Sequence, residues 1–377
     1  MSKKETRYRK DKNRKKHKSE DENYESRSSR NKPSVWVNVF KVSLVVLLIA
    51  VLGAVAYGAK LLTQAEDLME QTYKPRKSGT DSNETIEPNK TPFSILVMGV
   101  DDNDERALGS NRTDTMIVVT MNPDTGKVSM VSIPRDTFTY VESDDFTGYT
   151  KINAAYTYGK EDGAIDAVEG LLDIPIDFYV TVDFQAFEKI VDALGGVSVD
   201  VPVAISEANA QLTRMVELEP GEQVLTGEEA LAFARTRKID NDIKRGERQQ
   251  MVVQAVMKKA MAVGSITKYS DVMASLNNHL WTDMNRDTMM KVAQSALTND
   301  FSFESFTFSW MSFTYSYTGE SMVGLHEDSL EYIKHKLLVS LGKEAEDERD
   351  KPGYVFETDG IVSEQTYPPY GDGAVDD

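Results

Sequence analysis

Val35 to Ala59 is predominantly apolar, interrupted by Asn38 and Lys41, and carries no charge from Val42 onward, so the chain divides there before any fold is considered. Its length matches the roughly 20 residues needed to cross a hydrocarbon core, and Lys41 is close enough to the start to snorkel toward head groups. Met1 to Ser34 holds thirteen Lys/Arg against six Asp/Glu, whereas the whole chain has a net charge of −18. Positive residues stay on the cytoplasmic side. Residues 1–34 are therefore expected to form a basic cytoplasmic tail that meets anionic lipid and no nucleic acid. Residues 35–59 are expected to form a single-pass transmembrane helix, with the acidic bulk extracytoplasmic and the protein at the cell membrane. Ala54-Val55-Ala56 has the small-x-small form of a signal-peptide cleavage site. The apolar run continues past it and the basic region is long, which favours a retained anchor.

Residues 60–91 are rich in Ser, Thr, Asn and Pro from Tyr73 onward and read as an extracytoplasmic linker. About 30 flexible residues at roughly 5–6 Å × √n would hold the next domain about 30 Å from the bilayer. From Phe93 the pattern turns globular. Ser94–Val100, Thr115–Met121 and Lys127–Ile133 are Val-, Ile- and Met-rich runs that predict buried strands, with Phe178–Val182, Val197–Val201 and Phe301–Trp310 as further strands. Helical spacing predicts helices over Glu161–Leu172, Phe184–Leu194, Gly227–Ala234 and Arg245–Ala262. This interleaving predicts one α/β domain over residues 92–342, a three-layer αβα arrangement around a central mixed sheet. Residues 343–377 are acidic and rich in Pro and Gly, and are expected to be disordered.

The chemical inventory is narrow. There is no cysteine, which removes thiol nucleophiles, disulfides and thiolate metal sites. Only His17, His279, His326 and His335 are present, widely spaced, which disfavours a Ser-His-Asp triad or a zinc site. Neither a G-x-S-x-G elbow nor a G-x-x-x-x-G-K-[ST] loop occurs. What recurs is Arg and Asp at strand ends and loops: Gly99-Val100-Asp101, Asn111 to Thr115, Ser132 to Asp136, and the run from Arg235 through Arg237, Arg245 and Arg248 to Gln249. Planar guanidinium forks match phosphate oxygens two at a time, and paired carboxylates hold a hard divalent cation. The combination points to a metal-bound pyrophosphate. Taken singly, each arginine also reads as a surface ion pair, Asp101 or Asp114 as a turn cap, and Asp136 as a partner of Arg135. Phe184, Phe187, Ile190 and Leu194 read as core.

Seven collinear stretches resemble the LytR-CpsA-Psr proteins of Gram-positive envelopes: ILVMGVD (95–101), RTDTMIVV (112–119), VSIPRDT (131–137), KINAAYTYG (151–159), VDFQAFEKIVDALGGVSVDV (182–201), LTGEEALAFARTR (225–237) and DNDIKRGERQQ (240–250). The resemblance implies an αβα phosphotransferase. Such an enzyme moves an anionic glycopolymer, wall teichoic acid or capsular polysaccharide, from an undecaprenyl-pyrophosphate carrier to the muramoyl 6-hydroxyl of peptidoglycan. By motif, Asp101 and Asp114 match the carboxylates associated with Mg2+, for which Mn2+ can substitute. Arg112, Arg135, Arg235 and Arg237 match the pyrophosphate clamp, and Arg245 and Gln249 match two further head-group contacts. One departure is Lys244 in Asp242-Ile243-Lys244-Arg245, where the family commonly has glycine.

A protein of this kind works by electrostatic positioning, with Arg112 and Arg135 neutralising the transferred phosphoryl group. Asp136, Asp242 or a departing phosphate oxygen is expected to accept the hydroxyl proton. Two other readings use the same residues. A polyprenyl-pyrophosphate pyrophosphatase would admit water in place of the sugar, and a non-catalytic envelope regulator would bind the lipid carrier without turnover.

Overall fold

The computed structural model describes residues 72–77, 82–100, 112–236, 242–262 and 279–364. The expected basic tail and transmembrane segment lie outside these residues. Among the described residues no helix is long and apolar enough to cross a membrane.

The chain opens with α1 (Ser82–Thr85) and three long strands, β1 (Phe93–Val100), β2 (Thr113–Asn122) and β3 (Lys127–Ser132). A hairpin β4 (Phe138–Glu142) and β5 (Thr147–Lys151), α2 (Ala154–Leu172), β6 (Phe178–Asp183) and α3 (Phe184–Ala193) follow. Next come β7 (Val197–Val201), β8 (Ile205–Ala208), β9 (Met215–Leu218), β10 (Gly221–Leu225), α4 (Gly227–Arg235) and α5 (Asp242–Ala262). The last part holds β11 (Leu280–Thr282), α6 (Arg286–Thr298), β12 (Ser302–Phe306), β13 (Trp310–Thr314), β14 (Ser321–Leu325), α7 (Glu327–Ser340), a 3-10 turn (Glu348–Asp350) and β15 (Val362–Glu364).

Six strands form the central sheet in the order β11-β6-β1-β2-β3-β12. It is mixed: β1 pairs parallel with β6 and β3 with β12, while β1–β2, β2–β3 and β6–β11 are antiparallel. Alternate residues serve two cores, because successive strand side chains point to opposite faces. Leu96, Met98, Met116 and Val118 pack with Ile165 and Val168 of α2 and Ile333 and Leu337 of α7. Ile95, Ile117, Val119 and Met130 pack with Val253 and Met257 of α5 and Met289 of α6. Helices thus cover both faces, which is why the strands read as continuous apolar runs instead of alternating ones. A further core joins α3, α4, β7, β10 and α5 around Val191, Val199, Leu225, Phe233 and Val252.

Three expectations are corrected. The stretch Phe301–Trp310 is not one strand: β12 joins the central sheet, and β13 starts a separate sheet with β14 and β15. Residues 72–77 and 82–91 of the expected linker are docked. Lys74 N donates to Thr282 O at 2.7 Å, Lys74 Nζ reaches both Glu161 carboxylate oxygens at 2.8 and 2.9 Å, and Asn83 Nδ2 donates to Asp283 O at 2.8 Å. The expected disordered tail is ordered through residue 364. His335, 1% exposed, stands between Glu344 and Asp350, Lys336 pairs with Asp350 at 2.7 Å, and β15 runs parallel to β13. A polar segment is held here by hydrogen bonds to His335, by the ion pair with Lys336 and by burial of Phe356. Residues 365–377 lie outside the described residues.

Candidate functional site

Two loops and two helices bring the chemistry to one end of β1, β2 and β3. After β3 the backbone turns tightly, with Thr137 N and Oγ1 both donating to Pro134 O, at 3.0 and 2.6 Å. Asn153 N donates to Arg135 O at 3.2 Å, so the segment Lys151-Ile152-Asn153 fixes the arginine's backbone. Arg135 Nη1 then donates to Asp114 Oδ1 at 2.5 Å. Its Nε is buried, makes no hydrogen bond among the described residues and lies 3.8 Å from Asp136 Oδ2. A buried donor of this kind, on a group that cannot lose its charge, suits an anion. Asp136 itself is 3.3 Å from Lys151 Nζ, so its carboxylate braces Arg135 and Lys151.

Arg235 arrives at the end of α4. That helix starts with a capping box, in which Thr226 accepts from Glu229 N and Glu229 accepts from Thr226 N. Its first residue is held by Asp192 of α3, which accepts from Gly227 N at 2.7 Å. A Cβ on Gly227 would lie 2.2 Å from Glu188 O, so only glycine permits this approach of α4 to α3. At the other end Arg248, 2% exposed, donates from Nη2 to Thr236 O at 2.8 Å, which pins the residue after Arg235. The Arg235 guanidinium lies 4.8 Å from the centre of the Phe184 ring, a cation–π placement. Burial raises the carboxyl pKa of neighbouring Glu188, with Asp192 adding to the effect and Arg235 opposing it.

The start of α5 supplies the third wall. Arg245, 5% exposed, lines a narrow pocket with Asp114, Ser132 and Gln249. Gly246 permits the contact, since a Cβ there would meet Ser132 Oγ at 3.1 Å. Lys244 points outward and pairs with Glu247 at 2.8 Å, so its presence in place of glycine leaves Arg245 at the pocket. Gln249 also lines a second, apolar cavity with Val97, Phe184, Phe187, Leu231 and Arg235. Phe184 and Phe187 line this cavity, and Phe187 and Ile190 also pack against the core to which Leu194 belongs.

The fold therefore gathers Asp114, Arg135, Arg235, Arg245 and Gln249. Arg112 is exposed at the residue before β2, and Asp242 is the first residue of α5. Asp101 and Arg237 lie outside the described residues. Sequence reasoning missed the wall formed by Thr307 and Phe308 between β12 and β13 and by Trp310 at the start of β13, which has no charge pattern to mark it. It also missed His279, whose Nδ1 is 2.5 Å from Asp183 Oδ2; Asp183 caps α3 and lines the apolar cavity. A pairing across 96 residues has no local signal.

The chain is similar to known proteins in sequence and in fold. An uncharacterised protein of Staphylococcus aureus is 34% identical over 273 residues, 70% of this chain and 66% of its own length. TagV of Bacillus subtilis, named a polyisoprenyl-teichoic acid–peptidoglycan teichoic acid transferase, is 34% identical over 252 residues, 65% of this chain and 64% of its own. The chain thus spans slightly under two thirds of the length of these two relatives. The crystal structure of B. subtilis TagV superposes with a TM-score of 0.59 at 31% identity, over 68% of this chain and 99% of that one. A structure of TagT bound to LIIa-WTA gives 0.56 at 29% identity, over 71% and 95%. The profile of the LytR_cpsA_psr family matches residues 57–338, and the chain belongs to that family.

Proposed function

We propose that this chain is a phosphotransferase that moves an anionic glycopolymer, of wall teichoic acid or capsular type, from an undecaprenyl-pyrophosphate carrier to the muramoyl 6-hydroxyl of peptidoglycan. The observation that carries the reading is the grouping of Asp114, Arg135, Arg235, Arg245 and Gln249 beside an apolar cavity. A polyprenyl pyrophosphate has the same division, adjacent phosphates on an apolar chain. The cavity holds about 80 Å3, so it accepts the head-proximal end of that chain. The teichoic acid transferase TagV and the TagT complex with LIIa-WTA support the substrate class.

In this reading the acceptor oxygen bonds to the phosphorus that carries the glycopolymer, and the P–O–P bond to the polyprenyl phosphate breaks. Arg112, Arg135, Arg235, Arg237 and Arg245 neutralise the phosphoryl oxygens and the leaving phosphate, and Gln249 orients the head group. Asp114 Oδ1 faces Arg135 and Asp136 faces Lys151, and Asp242 or an oxygen of the departing phosphate takes the hydroxyl proton. Asp114 and Asp101 are the carboxylates that would hold Mg2+ or Mn2+, whose hard character suits carboxylate oxygens. When bound, that ion supplies further charge neutralisation. Residues 35–59 anchor the domain, so that carrier and enzyme share one membrane.

The test supplies a polyprenyl-pyrophosphate sugar donor and short peptidoglycan oligomers, and measures both the phosphodiester product and released polyprenyl phosphate. Wild type should form both, and Arg235→Ala should lower turnover by about 10²–10³-fold, as removal of an oxyanion donor does. Release of lipid phosphate without glycan product across varied acceptors would replace this reading with the pyrophosphatase. Full transfer by Arg235→Ala would overturn the clamp.

A further inference from the structure

Beside the arginine-lined pocket lies a larger, open cleft that the reading above does not use. Its volume is about 660 Å3, within the range of ligand sites. Phe306, Tyr332, Tyr354 and Phe356 line it, and Thr307 and Phe308 line both it and the arginine-lined pocket.

The aromatic wall is organised. Tyr332 stacks on Tyr354 with ring centres 5.5 Å apart and planes at 17°, meets Phe356 at 5.1 Å, and meets Phe306 edge-on at 6.3 Å. Tyr354 is 41% exposed. Burial raises the Tyr332 phenol pKa, so it stays protonated and can both donate and accept. Two of these rings, Tyr354 and Phe356, come from the segment after α7, beyond residue 338 where the family match ends. That segment is held by the His335, Lys336, Glu344 and Asp350 pairs.

Charge decides between a polyanionic and an uncharged occupant. Glu247 and Asp359 line the cleft with Lys244, whose ammonium already pairs with Glu247. A glycopolymer of repeating phosphates would be repelled there. The C–H faces of an uncharged pyranose would instead lie on the negative faces of the rings.

We propose that this cleft binds the saccharide strand of the acceptor, seating uncharged N-acetylated sugars on Tyr354 and Tyr332 so that a hydroxyl is presented across Thr307 and Phe308 to the arginine-lined pocket. The identity of the sugar as acceptor rests on the transferase reading; the binding of an uncharged saccharide does not.

The test is equilibrium binding of an uncharged tetrasaccharide of N-acetylglucosamine to the full-length chain, by calorimetry, with no donor present. Tyr354→Ala should weaken binding roughly tenfold, the worth of one aromatic contact, and Tyr354→Phe should keep it. Because Tyr354 is exposed, both variants should keep the fold, which circular dichroism checks. Equal affinity of wild type and Tyr354→Ala would overturn the proposal. So would a preference of the wild-type cleft for a teichoic-type polyphosphate lost in Tyr354→Ala. If the chain fails to transfer in the donor assay yet binds the tetrasaccharide through Tyr354, the saccharide cleft stands and the transferase reading falls.

Discussion

Arg135 and Asp114 illustrate how one ion pair can hold a site ready. The pair is partly exposed, with side chains 27% and 36% accessible, so it contributes little to stability and much to orientation. Arg135→Lys keeps the charge but loses the planar fork, and turnover should fall by about tenfold, less than for truncation to Ala. Asp114→Asn keeps the shape and removes the carboxylate that Mg2+ would use, so Mg2+ affinity, measured by titration calorimetry, should fall while the melting temperature holds. Unchanged metal affinity would remove Asp114 from the ion's ligands. Arg248 shows the opposite case. It stands in the same arginine-rich run, yet it is buried and spends a donor on Thr236 O, which makes it a brace for Arg235.

The approach of α4 to α3 sets where Arg235 lies. Gly227→Ala places a methyl group against the Glu188 backbone, and the helices must part. The expected loss is about 1–3 kcal/mol, measured by urea unfolding, with a larger loss of turnover because Arg235 moves with its helix. Unfolding equal to wild type would mean that α3 yields freely. The same elements show what could be read from sequence. β1, β2 and β3 were legible because both faces are buried, and α4 because Thr226 and Glu229 form a capping box. The joining of Asp114, Arg135, Arg235 and Gln249 was legible through family motifs alone, because no local pattern sets the distance between strand ends. The wall at Thr307 and Phe308 escaped because it depends on β12 and β13 belonging to different sheets.

For the molecule as a whole, the segment after α7 is an added part fastened by charge as well as by its rings and by β15. Hydrogen bonds from Arg349, chiefly, hold the Asp347 carboxyl down at about 2. Burial opposes ionisation of Asp350, but hydrogen bonds from Lys336, the Asp347 backbone and His335 outweigh it and keep its pKa below the usual carboxylate range. Carboxylates lowered on folding stabilise above their unfolded pKa of about 4 and lose that contribution as pH falls through the folded value. Between about pH 4 and pH 2 the segment should therefore loosen, seen as faster amide hydrogen exchange over 344–364 than over β1 and β2. Exchange that rises equally in both would mean that it unfolds with the domain. Periodicity carries no sign of this docking, because acidic residues paired to a distant His335 look like a solvated run.

The docked strand of chain before α1 has a mechanical meaning. Tension applied to the chain preceding Thr72 meets first the Lys74–Glu161 pair and the Tyr73–Thr282 bridge, on the edge strand β11 and the helix α2. These contacts can peel one after another, while the central strands, with their many parallel bonds in shear, stay whole. Under pull this strap is expected to give way before the geometry around Arg135 and Arg235 is disturbed, which force spectroscopy would read as a small rupture ahead of the main one.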